Sequence, residues 1–490
     1  MNLASLVCAL AVVPQSPDVV LVLIDDMGWQ DTSLSFGLTE KLVGRHLRTP
    51  NLEALAKRGT TVNQAYSSCT VCTPTRVSLL TGVNPARSHI TSWVHSNNDT
   101  DPGHPELATP DWNKAGLQPG DTTTLAQEFA LAGYRTVQIG KAHFGSAGTL
   151  GADPRNLGFE TVIAGSAAGH PSSYYGLENF ARKKNDPSQP PAHNDVPGLE
   201  AYHGKDVYLE DALAQEAAQV VRETAASGKP LFLWYSPYAV HTPIQPNRRL
   251  LGHYEGLDPT ETAYATMVET VDEALGTIVT ALRETGRLAK TVIVFTSDNG
   301  GLSQTSRGGY PNLHNLPLRS GKGSAYEGGT RVPFVAAGPG IAAGRELERT
   351  WLVSVDLFTT LAELSGLKVE PKDGVSMAKA LGGGADATRS AANVWHYPHH
   401  RGFGGPGLEP YSAIRDGAFK SIYFYGQERW ELYNVVNDPG ETRDVSRSQT
   451  ERLASMAKAL VESLEAMGAQ YPRKRATGEA LPPKVPNAVP

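Results

Sequence analysis

Four short stretches of the chain are dominated by apolar residues: VVLVLI at 19–24, RTVQI at 135–139, LFLWY at 231–235 and TVIVF at 291–295. Runs of this length, rich in β-branched residues, read as strands buried on both faces. Between the last two, Val268, Val271, Leu275, Ile278 and Leu282 recur at spacings of three and four, which predicts a helix with one apolar face. Thr49 and Pro50 read as a cap and a first helical position, with Leu52, Leu55 and Ala56 turned inward and Gly59 as the stop. Strands that alternate with helices predict an α/β fold, a mainly parallel sheet flanked by helices.

The pattern changes after Leu381, through Gly382, Gly383 and Gly384 and a polar stretch ending near Ser390. From 412 to 434 it reads as three strands joined by turns at Asp416-Gly417 and near Gly426, followed by Asp438-Pro439-Gly440 and a helix from about 447 to 467. The expected organisation is a large domain over 17–385, a smaller antiparallel α+β subdomain over 390–470, and a proline-containing tail over 471–490.

The predicted strands end in polar residues at one edge of the sheet. In an open parallel sheet the carboxyl edge is where ligands bind. The first run is followed by Asp25-Asp26-Met27-Gly28, the second by Gly140-Lys141-Ala142-His143, the third leads to His241, and the fourth continues into Ser297-Asp298-Asn299-Gly300. Asp25, Asp26, Asp298 and Asn299 brought together leave like charges unneutralised unless a cation lies among them, and an oxygen-only donor set favours Ca²⁺ or Mg²⁺ over zinc. Each ending taken alone also fits a turn or a hydrogen-bonded structural histidine; the set of four is what points to a site.

Cys69-Thr70-Val71-Cys72-Thr73-Pro74-Thr75-Arg76 runs on to Gly82. Thr73 as cap, Pro74 in the first turn and Gly82 as the stop predict a short helix, with Cys72 just ahead of its N-terminus. An anion there meets free backbone N–H groups, and Arg76 adds a fork of donors one turn on. A buried small thiol and a redox Cys-x-x-Cys are the other readings, the second weakened by Pro74 and by the lack of a thioredoxin-like pattern around the pair.

Composition narrows the partners. Among 490 residues, 40% are hydrophobic and 19% charged, the balance of a folded globule, and the formal net charge of −6 offers no basic excess for nucleic acid. Three cysteines cannot make a disulfide framework. The apolar run at 3–13, followed by Pro14, is too short for a bilayer span and suits the apolar core of a signal peptide over 1–16, which implies a periplasmic or secreted protein. No later run is long and apolar enough to predict a membrane span.

Cys72-Thr73-Pro74-Thr75-Arg76 with Leu80-Thr81-Gly82 resembles the signature of the sulfatase family, in which a Cys in a Cys-x-Pro-x-Arg context becomes formylglycine. Other family-like stretches follow in the family's order, among them Asp25-Asp26-Met27-Gly28-Trp29, Gly140-Lys141-Ala142-His143, His241-Thr242-Pro243, Ser297-Asp298-Asn299-Gly300 and Gly321-Lys322-Gly323, between about 17 and 468. The resemblance implies an alkaline-phosphatase-like α/β fold with a smaller C-terminal subdomain. It implies Ca²⁺ bound by Asp25, Asp26, Asp298 and Asn299, and Cys72 as a formylglycine nucleophile held by Arg76. Lys141 and Lys322 would contact the sulfate, His143 would act as base on the nucleophile, and His241 would face the leaving oxygen. A sulfated carbohydrate or other sulfate ester is the implied substrate, and a formylglycine-generating enzyme the implied maturation partner. A phosphate or phosphonate ester hydrolase on the same scaffold is the alternative, disfavoured because ligands for only one metal are visible. An inactive glycan-binding relative is disfavoured because every reacting position is filled. The run Trp395-His396-Tyr397-Pro398-His399-His400 reads either as a sugar platform or as a structural strand and turn.

Overall fold

The strand Asp18–Ile24 forms the middle of a nine-stranded sheet in a computed structural model that describes residues 16–38, 40–101, 103–182, 192–402 and 404–486. The proposed signal peptide lies almost wholly outside the described residues. In spatial order the sheet runs Arg345–Val353, Gly59–Tyr66, Phe334–Ala337, Thr291–Ser297, Asp18–Ile24, Leu231–Ser236, Arg135–Gly140 and Thr161–Ile163, with Arg331–Val332 also pairing Gly59–Tyr66. All pairs are parallel except those of Phe334–Ala337 and Arg331–Val332. This is the mainly parallel sheet expected from the alternation of strands and helices.

Alternation along the middle strand shows why its run is apolar throughout. Val20, Val22 and Ile24 face one core with Leu213, Val268, Val271, Leu275, Ile278 and Leu282, whereas Val19, Leu21 and Leu23 face the other with Leu79, Phe129 and Phe358. The helix Pro259–Glu284 buries the predicted apolar stripe; Asp258 caps it by accepting from the N–H groups of Thr260 and Glu261. Thr49 does precede the helix Pro50–Lys57, but its hydroxyl makes no cap bond and accepts instead from Ser33 N–H at 2.8 Å; Arg58 ends the helix and Gly59 opens the next strand.

The C-terminal elements form a four-stranded antiparallel sheet in the order Asn393–Tyr397, Tyr411–Asp416, Phe419–Phe424, Arg429–Asn434. One face carries the helix Thr450–Ala466 through Leu453, Met456, Leu460 and Leu464. The other lies on the large domain, where Trp395, Tyr397, Tyr411 and Phe424 pack with Tyr66, Tyr326 and Trp351. Trp395 is 2% exposed and donates from Nε1 to Ser67 O at 2.8 Å, and His396 and Tyr397 are equally buried. Residues 395–399 are therefore a buried strand and the bend after it, and their aromatic rings are not open to a sugar. The expected tail folds back in its described part: Arg473–Lys474 pairs with Leu107–Ala108, and Leu481 is buried against Tyr423 and Tyr425.

Candidate active site

Ile24 and Ser297 are register partners on neighbouring parallel strands, so Asp25-Asp26 and Asp298-Asn299 leave the sheet side by side. All four are fully buried. Asp26 lies in the left-handed region at φ 60°, which aspartate tolerates better than most residues, and its N–H reaches Asp298 Oδ1 at 3.2 Å. Asn299 Nδ2 donates to Asp26 Oδ1 at 2.7 Å, which leaves Asn299 Oδ1 buried with no hydrogen-bond donor; Asp25 Oδ1 also has none.

Three cationic side chains converge on these carboxylates. Lys141 follows the strand Arg135–Gly140 and donates from Nζ to Asp25 Oδ2 at 2.7 Å. Lys322 Nζ lies 2.6 and 2.8 Å from the two oxygens of Asp26. Arg76, inside the helix Cys72–Thr81, donates from Nε to Asp298 Oδ2 at 2.7 Å and from Nη1 to Lys141 O at 2.7 Å and Ser236 Oγ at 3.2 Å. Lys141, Lys322 and Arg76 thus offset Asp25, Asp26 and Asp298, and the unneutralised charge expected from the sequence is cancelled within the chain. The case for a metal rests instead on oxygens without donors, an unstable state for buried acceptors.

His241 borders the same carboxylates. His241 Nδ1 lies 3.0 Å from Thr242 O, which places the ring proton on Nδ1 and leaves Nε2 bare, 3.5 Å from Asp26 Oδ2. Among the described residues, Asp25, Asp26 and His241 bring ligand atoms within 4.8 Å of one another. Asp298 is the more committed of the expected ligands, with one oxygen on Arg76 and the other on Asp26 N–H.

Burial pushes the Asp25 carboxyl up to about 8, Lys141 opposing and Asp298 and Asp26 adding to the rise. For Asp26 burial works in the same direction but is outweighed by Lys322, His241 and Lys141, so it stays below the usual carboxylate range. Burial, reinforced by Lys141, holds His143 well below the imidazole range; burial and Lys322 do the same for His241, with Asp26 opposing.

Cys72 is the first residue of its helix, which begins two residues earlier than the expected start after a Thr73 cap. Val71 occupies the cap position, and Thr73 does not cap. Thr73 Oγ1 instead accepts from Val94 N–H at 3.2 Å and lies 3.3 Å from His143 Nδ1. His143 Nε2 lies 2.8 Å from Val94 O, which puts the proton on Nε2 and leaves Nδ1 unprotonated toward the helix that Cys72 heads, a state able to accept a proton. Cys69 and Cys72 are both buried and form no disulfide, and burial pushes the Cys69 thiol up to about 12.

Nine of the ten predicted residues are joined by hydrogen bonds or close approaches in one buried cluster at the carboxyl edge or border it at the helix, and Cys72 heads that helix. Sequence reasoning missed His170 and Asn194. The His170 ring stacks on His241 with centroids 5.6 Å apart, and Asn194 Nδ2 lies 2.8 Å from His170 Nε2. No spacing links these positions to His241; a loop brings them there.

The parallel sheet, the carboxylate cluster at its edge and the cysteine on a helix N-terminus agree with the alkaline-phosphatase-like fold that the resemblance implies. The family model for sulfatases matches residues 17–367, and that for the C-terminal region of N-sulphoglucosamine sulphohydrolase matches 321–470. A sulfatase of Formosa agariphila is 26% identical over 488 residues, covering 88% of this chain and 84% of that protein. The N-acetylgalactosamine-6-sulfatase of Mus musculus is 30% identical over 374 residues, covering 74% of this chain and 65% of its own. The solved structure of Ps i-CgsB superposes with a TM-score of 0.75 at 28% identity, covering 92% of this chain and 93% of that one. The chain belongs to the sulfatase family and is a sulfuric ester hydrolase. Members of the family generally use a metal and a formylglycine.

Proposed function

We propose that the enzyme removes sulfate from a sulfated carbohydrate, with Cys72 converted to formylglycine by a formylglycine-generating enzyme and one Ca²⁺ held by Asp25, Asp26, Asp298 and Asn299. The observation that carries this reading is the meeting of donor-free buried oxygens, at Asp25 and Asn299, with the cations Lys141, Lys322 and Arg76 beside the helix that Cys72 heads. An all-oxygen set suits a hard ion. The carbohydrate follows from relatives, since N-acetylgalactosamine-6-sulfatase acts on a sugar sulfate by its name and Ps i-CgsB has been solved with k-i-k-neocarrahexaose. The apolar run at 3–13 supports a periplasmic or secreted enzyme.

Bound at this edge, Ca²⁺ supplies a hard Lewis acid and the formylglycine hydrate a nucleophilic oxygen that cysteine lacks. Lys141 and Lys322 bind the sulfuryl oxygens, on which negative charge grows toward the transition state, and Arg76 holds the hydrate. His143, with Nδ1 bare, holds the proton of the nucleophile, and His241 faces the departing sugar oxygen. Release of inorganic sulfate from a panel of defined sulfated saccharides, run beside the corresponding phosphate esters, tests the reading. Sulfate release from at least one saccharide is expected; phosphate release alone would overturn it.

Lys141 and Lys322 are paired with Asp25 and Asp26, residues that the Ca²⁺ needs. Metal and sulfate therefore exchange partners: the cation takes the carboxylates and the anion takes the ammonium groups. Calorimetry should find Ca²⁺ binding tightened by roughly 5- to 50-fold in saturating inorganic sulfate, with the coupling reduced in Lys141→Ala. An unchanged Ca²⁺ affinity would contradict the exchange.

A further inference from the structure

Lys322 opens a segment that reaches the active site at one end and the C-terminal subdomain at the other. Its own N–H donates to Gly301 O at 3.0 Å, and Gly323 N–H donates to Thr70 O at 3.0 Å on the loop leading to Cys72. Thr70 Oγ1 returns a bond to Ser324 O at 3.0 Å. The next residues hang on the subdomain: Ala325 N–H donates to Gly407 O at 2.9 Å, and Tyr326 OH to Glu431 Oε2 at 2.8 Å. Gly328 and Gly300 touch backbone to backbone, since a Cβ on Gly300 would come within 1.9 Å of Gly328 O.

The segment ends in a buried charge cluster that no catalytic step uses. Glu327 N–H donates to Glu441 Oε2 at 2.6 Å. Lys420, on the subdomain strand Phe419–Phe424, places Nζ 3.1 Å from Glu327 Oε1 and 3.2 Å from Glu441 Oε1. Tyr66 OH donates to Glu327 Oε2 at 2.6 Å, and Arg331 Nη1 lies 3.8 Å from the same oxygen. Glu327, Glu441 and Lys420 are at most 2% exposed at their side chains. Burial pushes Glu441 up to about 8, Lys420 opposing and Glu327 adding to the rise.

We infer that the C-terminal subdomain is a positioning element for Lys322: through Lys420, Glu441 and Glu431 it holds the segment 322–329 against the Cys72 loop and sets where the ammonium stands. The inference rests on the reading of Lys322 as a sulfate ligand. A buried ion cluster that only stabilised the fold would leave the chemistry of folded molecules unchanged. A positioning cluster changes kcat/KM chiefly through Lys322.

The test is a double-mutant cycle on the matured full-length enzyme with an aryl sulfate. Lys420→Met should lower kcat/KM about 10- to 100-fold, the range found when supporting partners of active-site groups are removed. Tyr326→Phe, which removes the Glu431 bond without stranding a charge, should lower it about 3- to 10-fold. Combined with Lys322→Ala, each should add less than about 2-fold, because the group being positioned is gone. If Lys420→Met fails to fold, the Tyr326→Phe cycle decides. Hydrogen exchange of the peptide spanning 320–330 should quicken in both variants while the strand Thr291–Ser297 stays protected, a readout independent of turnover. Losses that multiply with Lys322→Ala, wild-type kcat/KM in the folded variants, or unchanged exchange would overturn the inference. A wild-type enzyme that releases no sulfate, with the exchange response intact, would refute the reading of the reaction and leave the positioning of the segment standing.

Discussion

Replacement of Cys72 by Ala or Ser, after co-expression with a formylglycine-generating enzyme, is expected to lower aryl sulfate hydrolysis by roughly 10³-fold or more, the scale on which loss of a nucleophile is felt. The fold should not notice. Serine is nearly isosteric with cysteine, Cys72 is the first residue of its helix, and the helix is held further along by buried Val77, Leu79 and Leu80. A melting temperature within about 2 °C of the wild type is therefore expected, since less than about 1 kcal/mol is at stake. The two substitutions separate two ways in which a cysteine can matter here. A thiol that only filled space would be replaced by serine without penalty, and a hydroxyl would serve as well if simple attack by an oxygen were enough. A formylglycine hydrate carries two hydroxyls on one carbon, and neither Ala nor Ser can supply that. Mass spectrometry of the peptide around Cys72 completes the experiment: the aldehyde should be present in the active wild type and absent from both variants. Cys72→Ser retaining a tenth of the activity, or full activity from unmodified cysteine, would remove formylglycine from the mechanism.

The parts of this molecule that were legible in its sequence are those whose cause is local. A strand buried on both faces has to be apolar throughout, so Val19 to Ile24 declared itself, and the stripe from Val268 to Leu282 follows from the period of a helix. The ligand edge was legible for a topological reason: parallel strands all end on one side, so polar residues that follow them meet even when far apart in the chain. Pairings across long separations were not. Lys141 with Asp25, and Lys322 with Asp26, span more than a hundred residues, and nothing in either motif says which cation neutralises which carboxylate. The same limit explains why the excess charge inferred from Asp25, Asp26 and Asp298 vanished in the folded chain. Thr73 looked like a cap by its place before Pro74, but the helix begins two residues earlier than such a cap implies, at Cys72, and the Thr73 hydroxyl serves Val94 and His143. Trp395 shows the same ambiguity in an aromatic side chain. A sugar platform and an interdomain wedge use the same residue types, and only the packing of the subdomain against Tyr66 decides for the wedge.

Arg76 should be the most costly of the cations to remove, because it serves both the fold and the chemistry. Its side chain is fully buried, and its guanidinium joins Asp298, the carbonyl of Lys141 and Ser236 at the carboxyl edge. Arg76→Leu leaves the Asp298 carboxylate without its closest counter-charge, and breaking one side of a buried pair costs about 3–5 kcal/mol. Turnover should fall by 10²-fold or more as well, on the scale of losing a fixed donor to a developing negative charge. Urea unfolding of Arg76→Leu and Asp298→Leu beside the double variant separates the two effects. The double variant, apolar on both sides, should regain over half of the lost stability and none of the activity. Calcium offers a further discrimination. With the guanidinium gone, Asp298 Oδ2 is released to the metal, so Ca²⁺ should raise the melting temperature of Arg76→Leu more than that of the wild type, whereas the double variant should respond less than either. An Arg76→Leu protein that loses activity but no stability would mean that Asp298 is neutralised by another group. Equal stabilisation of all three proteins by Ca²⁺ would remove Asp298 from the metal site and leave Asp25, Asp26 and Asn299 to hold the ion.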